Sequence, residues 1–263
     1  MTLQPQPHRR IRTVRTVFAL ILREMSTTYG RTSLGYLWAL LEPVAGVALL
    51  TLVFTLTFQS PPLGTNFSLF YASGLLPFLM YTEISAKIST SLRFSQPLLF
   101  YPGVTLIDTI FARFILNSMT VVLVFALVIG GIILGARIDV ILDLPALILG
   151  ITMALSLGLG VGTINCFLQT IFPVYERAWA ILNRPMLIIS CVVFTFDSVP
   201  QIAQDYLWWN PLIHIIGQVR SGIYSTYDGS YVSPGYIFGL SGILFVIGQI
   251  FLNRYKSYLI NDG

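Results

Sequence analysis

This sequence predicts an all-α integral membrane protein with six transmembrane helices and an N-terminal amphipathic helix at the membrane interface. Three observations predict it. Of 263 residues, 55% are hydrophobic and only 10% charged, against about 25% charged in an average soluble domain. Six apolar runs fall at 36–58, 69–89, 107–134, 144–167, 182–196 and 236–252, and a helix of about 20 apolar residues crosses the hydrocarbon layer. Finally, the Lys and Arg residues divide by side. All but two of the 15, Arg137 and Arg220, fall on one face of the resulting topology, which makes that face cytoplasmic together with both termini.

The elements follow in chain order. Over 8–28, Ile11, Val14, Phe18, Ile21, Leu22 and Met25 share one helical face, with Arg9, Arg12 and Arg23 opposite and Arg10 and Arg15 at the flanks. That pattern predicts a helix lying along a charged membrane surface. A secretory signal is the rival, but the apolar run 17–22 is short, Arg23 and Glu24 follow it, and no small-residue cleavage site appears. The first span carries Glu42 before Pro43, close to the Arg-rich side. In the second, Glu83 and Lys87 stand four apart with the acid first, the better order for an ion pair. The connection 90–105 holds exposed apolar residues beside Arg93 and breaks at Pro97 and Pro102. A short apolar helix there either lies on lipid or fills a partner's groove, and composition leaves both open.

The third span begins with Asp108 and Arg113, where snorkelling is expected to keep both wet. The fourth contains Gly158, Gly160 and Gly162, small residues suited to close helix packing. The fifth, 182–196, is short. Between it and the sixth lies 197–233, too polar to span and too apolar for a free loop, which reads as re-entrant or interfacial. The whole of 1–263 reads as one membrane domain. Its net charge of +4 is a topology signal and calls for no nucleic acid.

Several function classes are excluded by what the sequence lacks. It has no Gly-x-x-x-x-Gly-Lys-Ser/Thr phosphate loop and no Gly-x-Gly-x-x-Gly motif. Cys166 and Cys191 sit in apolar runs without metal spacing. With only His8 and His214, a His-based metal site or catalytic triad is not expected. No catalytic residue is assigned. A membrane-embedded transferase acting on lipid-linked sugar would have only His214 with Asp205 to work with. A secondary transporter would show repeated halves or midplane carboxylates, and neither is visible. Aromatic residues near span ends, among them Tyr36, Trp38, Tyr71, Trp208 and Trp209, suit an interface belt, and a sugar-conducting path as well.

Short motifs carry a family resemblance. Arg23-Glu24, Tyr29-Gly30, Leu34-Gly35-Tyr36-Leu37-Trp38-Ala39-Leu40-Leu41-Glu42-Pro43, Gly74-Leu75-Leu76-Pro77-Phe78 and Ile107-Asp108-Thr109-Ile110-Phe111-Ala112-Arg113 are followed by Arg184-Pro185, Ile189-Ser190-Cys191 and Trp209-Asn210-Pro211-Leu212-Ile213-His214. In this order, from about residue 15 to 255, the chain resembles the membrane permease subunits of bacterial polysaccharide-exporting ABC transporters (ABC-2 type). The motifs look most like capsular polysaccharide export permeases of Gram-negative bacteria. O-antigen and teichoic-acid permeases share the layout but match them less well.

The resemblance implies a homodimer in the bacterial inner membrane, working with two ATP-binding subunits that hold the ATP and Mg, so that this chain binds no cofactor. It implies two short re-entrant helices in 197–233. It makes 91–101 the coupling helix that seats in a cleft of the ATP-binding subunit, with Arg93, Phe94, Gln96, Leu98 and Phe100 as contacts. It also implies a periplasmic adaptor, an outer-membrane polysaccharide export protein and a lipid-linked acidic polysaccharide as substrate. Arg23 and Arg31 are the candidate lipid-headgroup contacts at the substrate entrance, and Tyr36, Trp38, Tyr71, Trp208 and Trp209 the candidates for path or gate. Pro102-Gly103-Val104 departs from the more basic stretch expected in the coupling loop, which reduces the charged contacts available there.

Overall fold

The structure is a computed structural model and describes residues 9–26, 35–99 and 104–255. Ten α-helices account for most of them: α1 (Arg9–Glu24), α2 (Gly35–Thr57), α3 (Phe67–Ser89), α4 (Ser91–Leu99), α5 (Leu106–Ala136), α6 (Leu144–Ile171), α7 (Pro173–Ile189), α8 (Gln201–Leu207), α9 (Pro211–Ile223) and α10 (Pro234–Arg254). No strand occurs among the described residues. Local chemistry sets the helix starts. Asn66, Asp143, Asn210 and Ser233 each accept a backbone N–H with the side chain, and Thr105 with Asp108 forms a reciprocal capping box. Proline opens α7, α9 and α10, where its missing N–H costs nothing.

Among the described residues, four helices are long and apolar enough to cross a membrane: Leu37–Thr57, Leu106–Ala136, Leu144–Ile171 and Pro234–Arg254. The 23-residue α3 mixes Ser, Tyr and Thr with Glu83 and Lys87 and is buried from Leu69 to Tyr81 almost without a break. It is an interior helix, so its neighbours cover surface that lipid would otherwise touch. The hub is α6, which packs against α3, α9 and α10. Its glycines make the close approach: a Cβ at Gly158 would lie 2.9 Å from Ile84, at Gly162 2.8 Å from Ile88, and at Gly160 2.5 Å from the Ser241 carbonyl oxygen. The reading of these three residues as packing positions agrees with that geometry.

The fifth element departs from the sequence reading. The apolar run is 182–196, but the helix is Pro173–Ile189, 17 residues with none buried. Its start is set by Pro173. Its end is set at Ser190 and Cys191, the latter in the left-handed region at φ 59°. Of the apolar residues after it, Val192 is buried by tertiary contacts in a non-helical segment and Phe196 in the one-turn 3-10 helix that follows. Hydropathy alone does not separate that environment from lipid. A one-turn 3-10 helix at Phe196–Ser198 opens the stretch 197–233, which holds the short helices α8 and α9. The interface helix turns its apolar stripe away from the bundle, as a helix lying along a membrane surface would. Phe18, Leu22 and Met25 point away from the protein, while Leu20 and Glu24, one turn apart, pack inward against α5.

Candidate functional site at the α4 junction

A single residue, Thr90, separates α3 from α4, and α4 lies on the bundle through Ser91, Leu92 and Ser95, all buried. Leu92 joins a small core with Ile84, Ile88, Leu106, Ile110, Cys166, Phe167 and Leu252. From this seat α4 is tied in two directions. Arg93 donates from Nη1 to Glu176 Oε2 of α7 at 2.7 Å and from Nη2 to the Gln169 carbonyl of α6 at 2.8 Å. On the other side, the Phe94 ring lies 4.5 Å from the Arg113 guanidinium and 5.3 Å from that of Arg23.

Arg113 is the centre of this junction. Its Nε donates to Glu24 Oε1 at 3.0 Å and its Nη1 to Thr90 Oγ1 at 3.1 Å. Asn117, one turn on, donates to the Arg113 carbonyl at 2.7 Å and toward Glu24 Oε1 at 3.4 Å. The two charged side chains are only 8% and 3% exposed. Arg113 is thus buried, and so is Asp108, the capping residue at the start of α5. The expectation that snorkelling keeps both wet is corrected. The carboxylate of α1 supplies the partner that makes a dry guanidinium tolerable. Beside the junction, a cavity of about 260 Å³ runs between α2, α3 and α5. Glu42, Glu83, Asn117 and Thr120 line its polar part and Leu76, Met80 and Phe125 its apolar part. Glu83 and Lys87 form the expected i,i+4 pair at 3.3 Å.

A second knot of polar groups lies in the α9 region. Arg220 is 1% exposed and donates to the carbonyls of Cys191 (2.9 Å), Phe194 (2.8 Å) and Val192 (2.8 Å), with the Phe70 ring 4.5 Å away. It therefore closes the non-helical segment after α7, whose carbonyls have no ladder to join. Gly74 makes room, since a Cβ there would meet the Val192 carbonyl oxygen at 2.8 Å and Arg220 Nη2 at 3.0 Å. His214 is fully buried. Its Nδ1 accepts the Ser233 N–H at 3.2 Å, which leaves Nε2–H to donate to the Trp208 carbonyl at 2.8 Å. Both ring nitrogens are thus occupied by backbone, and Asp205 is exposed on α8. Neither residue is set up for acid–base work on a substrate. Among the described residues, no group of three His, Cys, Asp or Glu side chains could hold a metal.

The sequence-derived candidates distribute as follows. Arg93 and Phe94 face α7 and α5 respectively, as above, and Gln96 is half-buried. Leu98 is in the last turn of α4, its side chain outside the described residues, as are Phe100 and Arg31 altogether. Arg23 stands over Phe94. The Tyr36 side chain lies outside the described residues. Trp38 and Trp209 are exposed. Tyr71 is buried among Phe54, Phe67 and Phe70. Trp208 stacks on Tyr236 and donates its indole N–H to the Tyr231 carbonyl. Sequence reasoning did not pair Glu24 with Arg113, and it placed Arg220 with the outer loop charges. The signal for the first was present: an acid directly after the apolar run of α1 has no reason to be there unless something neutralises it.

Comparison with known proteins gives a consistent result. The ABC-2 type transporter family matches residues 15–224. The chain is similar to the polysialic acid transport protein KpsM of Escherichia coli, 32% identical over 233 residues, covering 89% of this chain and 90% of that protein. It is similar to the capsule polysaccharide export inner-membrane protein CtrC of Neisseria meningitidis serogroup A, 29% identical over 252 residues and 92% of each chain. It is also similar to the capsule polysaccharide export inner-membrane protein BexB of Haemophilus influenzae, 24% identical over 243 residues and 92% of each chain.

Proposed function

The chain belongs to the ABC-2 type transporter family, and we propose that it is the inner-membrane permease subunit of an ATP-driven exporter of lipid-linked capsular polysaccharide. The relatives' names support the cargo class and the membrane. The observation that carries the mechanism is α4: a short amphipathic helix at the α3–α5 connection, half seated on the core and tied by Arg93 and Phe94 to the helices on either side. Such a helix is built to receive a push and distribute it. In this reading the 91–101 stretch, with Gln96, Leu98 and Phe100 among its contacts, docks on the ATP-binding subunit, which supplies the phosphate loop this chain lacks.

Two copies of this chain and two ATP-binding subunits, holding ATP and Mg, make the working unit. The face of each copy toward the other is formed by α2 and α7. Along α2 the residues Trp38, Leu49, Leu52 and Leu56 are exposed, and α7 carries exposed Arg177 and Arg184. Charged side chains on a membrane helix are costly against lipid and favour protein or a polar path. A path between the copies then runs past Trp38, and Trp209 stands at its outer end. Both termini are cytoplasmic, with 197–233 re-entrant from the periplasmic side, where the adaptor and the outer-membrane export protein take over the polymer. Its lipid phosphate meets Arg23 and Arg31 at the cytoplasmic leaflet.

The test is co-purification with the ATP-binding subunit encoded beside it, reconstitution in lipid and assay of ATPase activity. Phe94 is enclosed in the junction, so the docking variant is Leu98→Asp with Phe100→Asp. A stable ATPase complex that this double variant uncouples is the expected result. Failure of the two folded proteins to associate would overturn the reading.

A further inference from the structure

The motifs Arg23-Glu24 and Ile107-Asp108-Thr109-Ile110-Phe111-Ala112-Arg113 are far apart in the chain, yet the structure brings Glu24 and Arg113 into one buried ion pair at 3.0 Å. We infer that this pair is the positioning link that makes the membrane-surface helix α1 follow the movement of α4. The inference rests on the proposed docking of α4 to the ATP-binding subunit and names what that docking moves.

Three features carry it. First, one guanidinium touches every element that would have to move together. Arg113 belongs to α5, bonds Glu24 of α1, bonds Thr90 at the α3–α4 join and covers the Phe94 ring of α4. Second, the pair is dry, and a dry charge pair has few alternatives. Sliding α1 away from α5 would strand a buried carboxylate and a buried guanidinium, so the two helices shift together rather than past each other. Asn117, donating to the Arg113 carbonyl and toward Glu24, holds the same geometry from the next turn. Third, α1 faces two ways. Leu20 and Glu24 are buried against the bundle, while Phe18, Leu22 and Met25 point outward from it as an apolar face suited to the lipid interface. Any displacement taken up at Glu24 therefore appears as a change in how deeply Phe18 sits in the bilayer. Arg23, the adjacent residue, stacks over the same Phe94 ring, so the candidate headgroup contact is carried along.

The experiment uses the reconstituted complex. Phe18 is replaced by Cys and labelled with an environment-sensitive probe; the native Cys166 and Cys191 are both buried. Quenching by a spin-labelled lipid is read with and without a non-hydrolysable ATP analogue, alongside ATPase activity and polymer export. In the otherwise wild-type chain the analogue should change the quenching. Glu24→Gln, which keeps the shape and removes the charge, should reduce that change and the export per ATP by at least about five-fold, the lower end of a typical coupling effect. Its ATPase activity should remain. A purely structural role would lower both activities together. Should the Gln variant not assemble, Glu24→Asp, which retains the charge with a shorter reach, and Asn117→Leu are read in the same way. Equal quenching change and equal export in an assembled variant would overturn the link. So would export by the wild type without any nucleotide-dependent signal at Phe18. A wild-type chain that neither binds nor stimulates the ATP-binding subunit would instead overturn the docking reading itself.

Discussion

Replacing Arg220 by Met removes a buried charge together with three hydrogen bonds, and the balance of those two effects is predictable. The guanidinium donates to the Cys191, Val192 and Phe194 carbonyls at 2.8–2.9 Å while 1% exposed. Bonds from a charged donor are worth about 1.5–3 kcal/mol each. Losing all three is offset in part because the guanidinium no longer has to be held away from water. The net destabilisation of the 191–195 turn should be about 3 kcal/mol. The turn has its own reporter, since Cys191 is buried within it and Cys166 is buried in the separate core beneath α4. Maleimide labelling in detergent, under conditions where opening precedes reaction, should accelerate about 100-fold at Cys191, at about 1.4 kcal/mol per ten-fold. Cys166 should label at its original rate. Arg220→Lys should fall between, because a compact ammonium reaches three diverging carbonyls less well than a planar fork. Unchanged Cys191 labelling in Arg220→Met would refute the clamp, and equal acceleration at both cysteines would mean that the variant loosens the whole bundle.

Two further outcomes follow from the packing. Gly160→Ala should lower thermal stability in detergent by about 1–3 kcal/mol, because its new methyl would meet the Ser241 backbone. Gly130→Ala, with nothing within 4 Å of the added carbon, should be neutral or more stable by up to about 1 kcal/mol. Reversal of that order by thermal unfolding would contradict the α6–α10 contact. His214→Phe keeps a ring but leaves the Trp208 carbonyl and the Ser233 N–H without their partner, and should cost about 2 kcal/mol. An unchanged midpoint would show that water or another polar group satisfies both the carbonyl and the N–H.

The junction also gives the acidic and basic residues around α4 distinct meanings. Glu83 with Lys87 is a half-exposed pair within one helix and is worth little to stability. Arg93 with Glu176 is similarly exposed but connects α4 to α7, so its value is in orientation. Glu24 with Arg113 is enclosed and is the one of the three whose rupture is costly.

By itself the sequence determined the class, the approximate helices and the family resemblance, because each rests on a one-dimensional property. Apolar run length marks α2, α5, α6 and α10. Basic residues sort by loop, and Gly158, Gly160 and Gly162 mark α6 as a closely packed helix by their small size. The ion pair of Glu83 and Lys87 was legible because both partners lie on one helix, one turn apart. The tertiary structure decided everything that depends on which distant residues become neighbours. Glu24 and Arg113 lie on different helices, 89 positions apart, and nothing in either local pattern names the other. The end of α7 at Ile189 was hidden because Val192 is as apolar in a turn closed by Arg220 as it would be in lipid. Likewise, α1 shows a clear apolar stripe, but its buried side is the one carrying Glu24, since a paired charge packs inside a bundle and an unpaired hydrophobic face is left for the membrane.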